Sequence, residues 1–323
     1  MTQMKAQPNR TRIGASELEI APLALGGNVF GWTADRDDSF AVLDAFVAGG
    51  GDFIDTADSY SHWAPGNTGG DSERIIGEWI AARGSRDRVV IATKVAHPPD
   101  FMGLGGANIR AAADASLQRL GTDRIDLYYA HHDFPEVPIE EIAEAFSSLV
   151  DAGKVRAIGI SNLAADRIVG WCEYARANGL HVPVALQPHY SLVEREFETN
   201  GLRDIAEAQQ LAVFPYYALA RGFLAGKYRT PADATAAGAS PRAEGAAQYL
   251  DARGEAVLAA LDLIANARQV EVATVALAWL RLQPTVAAPI ASARNMAQLP
   301  AILASMTLDL TESEVAALTD ASA

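Results

Sequence analysis

The chain has 323 residues, half of them apolar, enough to bury one large core. Its 26 basic against 40 acidic residues leave a net charge of −14, which disfavours nucleic acid and anionic membrane surfaces as partners. The lone Cys172 excludes an intrachain disulfide, and a polar start with no apolar signal or membrane-length run fits a cytoplasmic, reducing setting.

Residues 1–10 read as a flexible N-terminus ahead of a single domain spanning 11–323. Segments 11–14 and 17–20 flank Ala15-Ser16 as a short hairpin. An alternation follows. Residues 23–25 form a short apolar strand, 39–48 a helix stopped by Gly49, and 53–55 a strand. Residues 72–82 place Ile75, Ile76, Trp79 and Ile80 on one helical face, and 89–93 make the next strand. Helix 109–120, strand 125–130, helix 139–152, strand 155–160, helix 166–178, strand 184–187, helix 202–209 and strand 212–216 continue the rhythm. Residues 230–248, rich in Ala, Gly, Pro and Ser, read as a long loop. Helices 256–267 and 274–282 precede strand 285–289, and helices 296–304 and 312–318 close the chain.

Eight strand–helix units with short connections predict an α/β fold, a (β/α)8 barrel with an N-terminal β-hairpin and C-terminal helices. The stretch 26–31 does not match the G-x-G-x-x-G turn, so a doubly wound dinucleotide site is not expected.

Asp55, Lys94 and His131 fall at the ends of three successive predicted strands, with Lys94 just past its own, and Tyr60 follows the first of them. Barrels place their chemistry on that rim. A phenol, an ammonium, a carboxylate and an imidazole together form a proton-donating site, the lysine lowering the tyrosine pKa and Asp55 holding the lysine. Singly, each has a plainer role: Asp55 as a turn former, Tyr60 as a wall residue, one histidine of His131 and His132 as a core residue. Periodicity alone does not choose between those two histidines. Cys172, between Trp171 and Tyr174, reads as a packed thiol.

These motifs resemble the aldo-keto reductase family over nearly the whole chain: D-T-A-x-x-Y at 55–60, T-K at 93–94 and D-L-Y-Y-A-H at 126–131. The resemblance assigns the imidazole to His131 and implies Tyr60 as proton donor, tuned by Asp55, Lys94 and His131. It implies NADPH as cofactor. Ser161 and Asn162, with Gln187, would bind the nicotinamide carboxamide, and Tyr216 would stack on the ring. Segment 214–224 would wrap the pyrophosphate, with Tyr217, Leu219, Ala220, Gly222 and the nearby Lys227. Gly27 and Asn28 are carried over as further cofactor contacts. Segment 291–298 resembles the adenosine-phosphate stretch, with Ser292, with Arg294 meeting the 2′-phosphate and with Gln298 beside the adenine. A guanidinium there favours NADPH over NADH. Where the family often has Glu-Asn, this chain has Ala301-Ile302.

Phe30, Trp32 and Trp63 read as an apolar substrate wall, or equally as packed loop residues. The expected activity is reduction of an aldehyde or ketone by a monomer that engages a small-molecule carbonyl compound, with no nucleic acid, membrane or metal. The alternative is a nucleotide-sensing regulatory subunit like the potassium-channel β subunits of the same family, against which the short segment ahead of the hairpin argues. A metal-dependent hydrolase would need clustered His and Asp, and His62, His97, His131 and His132 have no ligand spacing.

Overall fold

A computed structural model describes residues 9–97, 101–236 and 240–323; most of the expected flexible N-terminus lies outside them. Strands β1 (Thr11–Arg12) and β2 (Glu19–Ile20) pair antiparallel as the expected hairpin. The main sheet holds β3 (Ala24–Gly26), β4 (Phe53–Asp55), β5 (Val90–Val95), β6 (Ile125–Ala130), β7 (Val155–Ser161), β8 (Ala185–Gln187), β9 (Ala212–Val213) and β10 (Ile290–Ala291). All neighbours run parallel, in the order β10-β3-β4-β5-β6-β7-β8-β9. Val213 N donates to Thr285 O and Ala287 N to Val213 O, both at 2.9 Å, which closes the sheet into a barrel. The outer layer is built from α1 (Arg36–Ala48), α2 (Asp71–Arg83), α3 (Gly106–Leu120), α4 (Ile139–Asp151), α5 (Ala165–Ala177), α6 (Leu202–Gln209) and α10 (Val272–Arg281), with α9 (Ala252–Arg268), α11 (Leu299–Ala304) and α12 (Glu312–Ala321) beside them.

Strand periodicity divides two cores. Outward residues such as Ile54, Ile91, Tyr128, Ile158 and Leu186 pack under the helices. Inward residues form a separate cluster of Phe53, Ala92, Leu127, Tyr129, Ala157, Ala185, Phe214 and Ala288, mixing small and large side chains as a narrow barrel requires. Ile13, Leu18 and Ile20 of the hairpin belong to this inner cluster and plug one end of it. Gly159 sits opposite Tyr129, and a Cβ there would lie 2.4 Å from the tyrosine ring, so only glycine lets that ring fill the barrel.

Four expectations need correction. Lys94 lies inside β5 rather than past it. Residues 285–289 carry the closing hydrogen bonds, while the regular strand is β10; Pro289 has no N–H to extend the ladder. The strand expected over 212–216 ends at Val213 as Pro215 follows, and Tyr216 keeps only an isolated bridge to His189. Helix α11 starts at Leu299, because Pro300 is tolerated in a first turn and not in the interior that a start at 296 would give it. The loop over 230–248 also holds two short helices, α7 (Pro231–Thr235) and α8 (Ala243–Ala247). A Thr230–Asp233 capping box with proline in the first turn starts α7.

Candidate active site

The inward period that puts Phe53 and Ala92 in the barrel also turns Asp55 and Lys94 inward, two residues further up each strand. Both are buried. Lys94 Nζ donates to Asp55 Oδ2 at 2.7 Å, to the Thr56 carbonyl at 2.8 Å and to the Tyr60 hydroxyl oxygen at 2.9 Å. All three ammonium hydrogens are therefore used. Asp55 Oδ1 accepts from Gln187 Nε2 at 2.9 Å, which ties β8 to the same cluster. His131 continues the inward face of β6 beyond Leu127 and Tyr129, with its ring centroid 6.1 Å from that of Tyr60.

The electrostatics correct one expectation. Tyr60 is held well above the usual phenol range, first by burial and then by the Asp55 carboxylate. Lys94 spends its charge on Asp55, so the phenol does not see a bare cation. Burial lowers the Lys94 pKa, and Asp55 pulls it back up. His131 is pushed well below the ordinary imidazole value by burial and then by Lys94, His132 and His97, so it is neutral at pH 7. Its Nδ1 is covered and without a hydrogen-bond partner. Asp58, beneath this cluster, is buried with neither oxygen hydrogen-bonded, and burial followed by the nearby Glu73 raises its pKa well above the carboxylate range.

A cavity of about 760 Å³ opens above the cluster, within the usual size of small-molecule sites. Asp55, Tyr60 and His131 line it, while Lys94 lies beneath its floor. Asn28, Ser161, Asn162, Gln187, Tyr216, Tyr217, Leu219, Gly222, Lys227, Ser292, Arg294 and Gln298 also line it. Ser161 Oγ donates to Gln187 O at 2.9 Å, and Ser292 Oγ donates to Asn28 Oδ1 at 2.7 Å. Asn162 stands in the left-handed region, φ 55°, donates to His131 O at 2.8 Å and accepts from the Tyr216 hydroxyl at 2.9 Å. The Tyr216 ring stacks on His189, centroids 5.2 Å apart and planes 13° apart, so one of its faces is covered.

Gly27, Ala220, Phe30 and Trp32 do not line the cavity. Gly27 packs against Ser72 and donates its N–H to Asp55 O at 2.8 Å; Ala220 is fully buried. Phe30 is in the outer core, because the tight turn that bridges it to Ala34 sends the ring inward. Trp32 stands behind Trp63, edge-on at 5.5 Å, and Trp63 alone of the three expected wall aromatics lines the cavity. Ala301 and Ile302 also line the cavity.

Sequence reasoning missed Asp58, His97 and Arg242 as parts of this region, while Arg221, which lines the cavity, falls within the segment 214–224 expected at the pyrophosphate. Arg242 carried one signal: it is the only basic residue in the stretch 230–248. His62, His97, His131 and His132 form a chain of rings along one wall, with centroids 4.7 to 5.8 Å apart. Among the described residues no group of His, Cys, Asp or Glu is arranged to hold a metal ion, and no helix is long and apolar enough to cross a membrane.

A closed parallel barrel with a buried polar cluster beneath a cavity at its rim has the architecture of a barrel enzyme. Residues 22–323 match the model of the Aldo/keto reductase family, and the chain belongs to that family. Among curated relatives, the "Protein tas" of Escherichia coli is 33% identical over 94% of this chain and 95% of its own length. The "Uncharacterized oxidoreductase YrpG" of Bacillus subtilis is 35% identical over 96% of this chain and 94% of its own. The "Norsolorinic acid reductase stcV" of Emericella nidulans is 32% identical over 94% and 78% respectively.

Proposed function

We propose that this protein reduces aldehyde or ketone carbonyls with NADPH, and that Tyr60 supplies the proton. The observation that carries the reading is the three-way contact of Lys94 Nζ with Asp55, Thr56 O and the Tyr60 hydroxyl oxygen. Because the ammonium donates to that oxygen, the phenol proton must point elsewhere. Its one protein acceptor among the described residues, Asp55 Oδ2, is 3.4 Å away and already takes the lysine at 2.7 Å. The O–H would thus be available to an oxygen in the cavity, which the neutral His131 ring also lines.

The lining suits a dinucleotide phosphate. Lys227 and Arg294 sit close enough for the arginine to lower the lysine pKa, after burial as the larger cause, and neither has a carboxylate partner among the described residues. They would hold phosphate, while Ser161, Asn162 and Gln187 would bind the carboxamide and the open face of Tyr216 would meet the nicotinamide. When bound, the cofactor supplies the hydride. Tyr60 donates the proton, Lys94 and Asp55 fix its oxygen, and His131 orients the substrate oxygen. The complete cavity within one chain suits a monomer. No observation favours the regulatory-subunit reading, for which turnover is dispensable.

Tyr60→Phe tests the reading. It should bind NADPH as the parent does, by fluorescence titration, and lose about 100-fold or more in aldehyde turnover, the low end of general-acid contributions. Full turnover in that variant removes Tyr60 as the donor.

A further inference from the structure

The wall beside Tyr60 is not the apolar one expected. Next to Trp63 it is built by His62, His97, His131 and His132. Among the described residues, the imidazoles with a hydrogen-bond partner are those of His62 and His181. His62 Nδ1 lies 2.7 Å from Ser59 O, an acceptor, so that nitrogen carries the hydrogen. His97, His131 and His132 bring unpartnered rings to the cavity.

His97 and His131 form a pair within this wall. They follow adjacent strands, in which Val95 of β5 lies beside Ala130 of β6. Each has its Nδ1 covered and without a partner. A hydrogen on that nitrogen would find no acceptor, so the hydrogen belongs on Nε2. Nε2 is not among the covered atoms and bonds to no described residue, so in both rings it is the edge that a bound molecule can reach. The ring centroids are 5.8 Å apart and the planes tilted by 50°, with His132 4.7 Å from each.

The backbone bends to put His97 there. Lys94 faces into the barrel, so strand alternation would turn Ala96 inward and His97 outward. Ala96 instead packs in the outer core at φ 100°, a strained conformation for a residue with a Cβ. His97 lines the cavity as a result. A polar edge left without a protein partner at a cavity wall favours a ligand that supplies one, and a site so built rejects the analogue that leaves it unpaired. In the reaction proposed above, the His131 donor goes to the carbonyl oxygen. The His97 donor has no task there.

We propose that His97 is a specificity-determining residue, and that the preferred carbonyl compounds carry a second oxygen acceptor in the 1,3 relation of a β-keto ester. Oxygens on one carbon lie too close together for donors on rings 5.8 Å apart, and oxygens on distant carbons overshoot them. The reacting carbonyl would meet Tyr60 and His131, and the second oxygen would take the Nε2 hydrogen of His97. This substrate class rests on the reductase reading above; the donor pair itself does not.

The test compares ethyl acetoacetate with 2-heptanone, a ketone of the same chain length without the ester, at saturating NADPH in the parent enzyme, His97→Phe and His97→Gln. The parent should favour the keto ester in kcat/KM. In His97→Phe that ratio should fall about tenfold, the scale of one hydrogen bond, chiefly through KM. His97→Gln keeps a donor and should retain most of the preference. The ester activates its own ketone equally in every variant, so that effect drops out of the comparison. A second arm needs neither turnover nor a variant. Dimethyl malonate has two carbonyl oxygens in the same 1,3 relation and no ketone. It should quench the tryptophan fluorescence of the parent with NADP+ at lower concentration than methyl valerate, its single-carbonyl analogue. An unchanged ratio in His97→Phe overturns the proposal, including a loss shared equally by both ketones, and so does equal or weaker binding of the malonate. Malonate preference without reduction of either ketone would sink the reductase reading and keep the donor pair. Reduction of both ketones with a ratio indifferent to His97 would do the reverse.

Discussion

Lys94→Met is the sharpest test of how the floor of the cavity is held. Methionine keeps the length and unbranched shape of lysine and removes the charge. It deletes the 2.7 Å ion pair to Asp55 and the hydrogen bonds to Thr56 O and Tyr60. Asp55, buried, is then left with Gln187 Nε2 at 2.9 Å and the distant Tyr60 hydroxyl at 3.4 Å. Removing one member of a buried pair typically costs about 3–5 kcal/mol, since the survivor is an uncompensated charge. Asp55→Asn should cost a similar amount for the same reason, leaving Lys94 buried without its counter-ion. The double variant Asp55→Asn/Lys94→Met buries no charge. It should lie near either single variant, about 4 kcal/mol below the parent rather than about 8, a coupling of about 4 kcal/mol. Urea unfolding followed by circular dichroism measures all four corners of the cycle. Additivity within about 0.5 kcal/mol would refute the claim that the two side chains stabilise the floor only as a pair.

Gly159→Ala should destabilise the barrel by about 1–3 kcal/mol through overpacking, because its Cβ falls 2.4 Å from the Tyr129 ring; Tyr129→Leu in the same chain should recover much of that loss, and a neutral single variant would refute the close fit. Burial first, then nearby cations, lowers the pKa of His131 and His132. The unfolded chain then binds more protons than the folded one below the ordinary imidazole value of about 6.5, so stability is full above that pH and is lost as pH falls toward the lowered folded values. Asp58, raised by burial, acts in the opposite sense, so the measurement is a difference: His132→Gln should lose less stability than the parent between pH 7.5 and 5.5, and equal losses would count against the assignment. Cys172 is buried, which pushes its thiol up to about 11; it should react with a thiol reagent only after unfolding, and prompt reaction in the native state would contradict the packing.

Asp55 and Lys94 were legible because a two-residue strand period, once its inward face is set by Phe53 and Ala92, carries straight to the rim. His131 against His132 was not, since strand β6 is apolar on both faces: Leu127 and Tyr129 fill the barrel while Tyr128 and Ala130 pack under the helices. Only the closed barrel says which face is inside. The errors fall where no period exists. Phe30 sits in a tight turn, whose hydrogen bonds decide the direction of the ring. Arg242, just ahead of α8, lines the cavity through a tertiary placement with no local pattern to announce it.

The resting state of Tyr60 bears on how such a site works. The proposed donor role needs a phenol that is protonated when substrate arrives, and burial together with Asp55 keeps Tyr60 so, against the expectation that Lys94 would acidify it. The lysine hydrogen bond at 2.9 Å matters at a later point. In the proposed reaction, charge would grow on the phenol oxygen as its proton left, and the ammonium already aimed there would stabilise it without having to move. In the same instant the Asp55–Lys94 pair would have a second anion to share, and Gln187 on the other carboxylate oxygen would keep Asp55 from swinging away. On the proposed mechanism, acidity would be supplied along the reaction rather than stored in the resting phenol. That is why a high resting pKa and a role as proton donor are compatible at this rim.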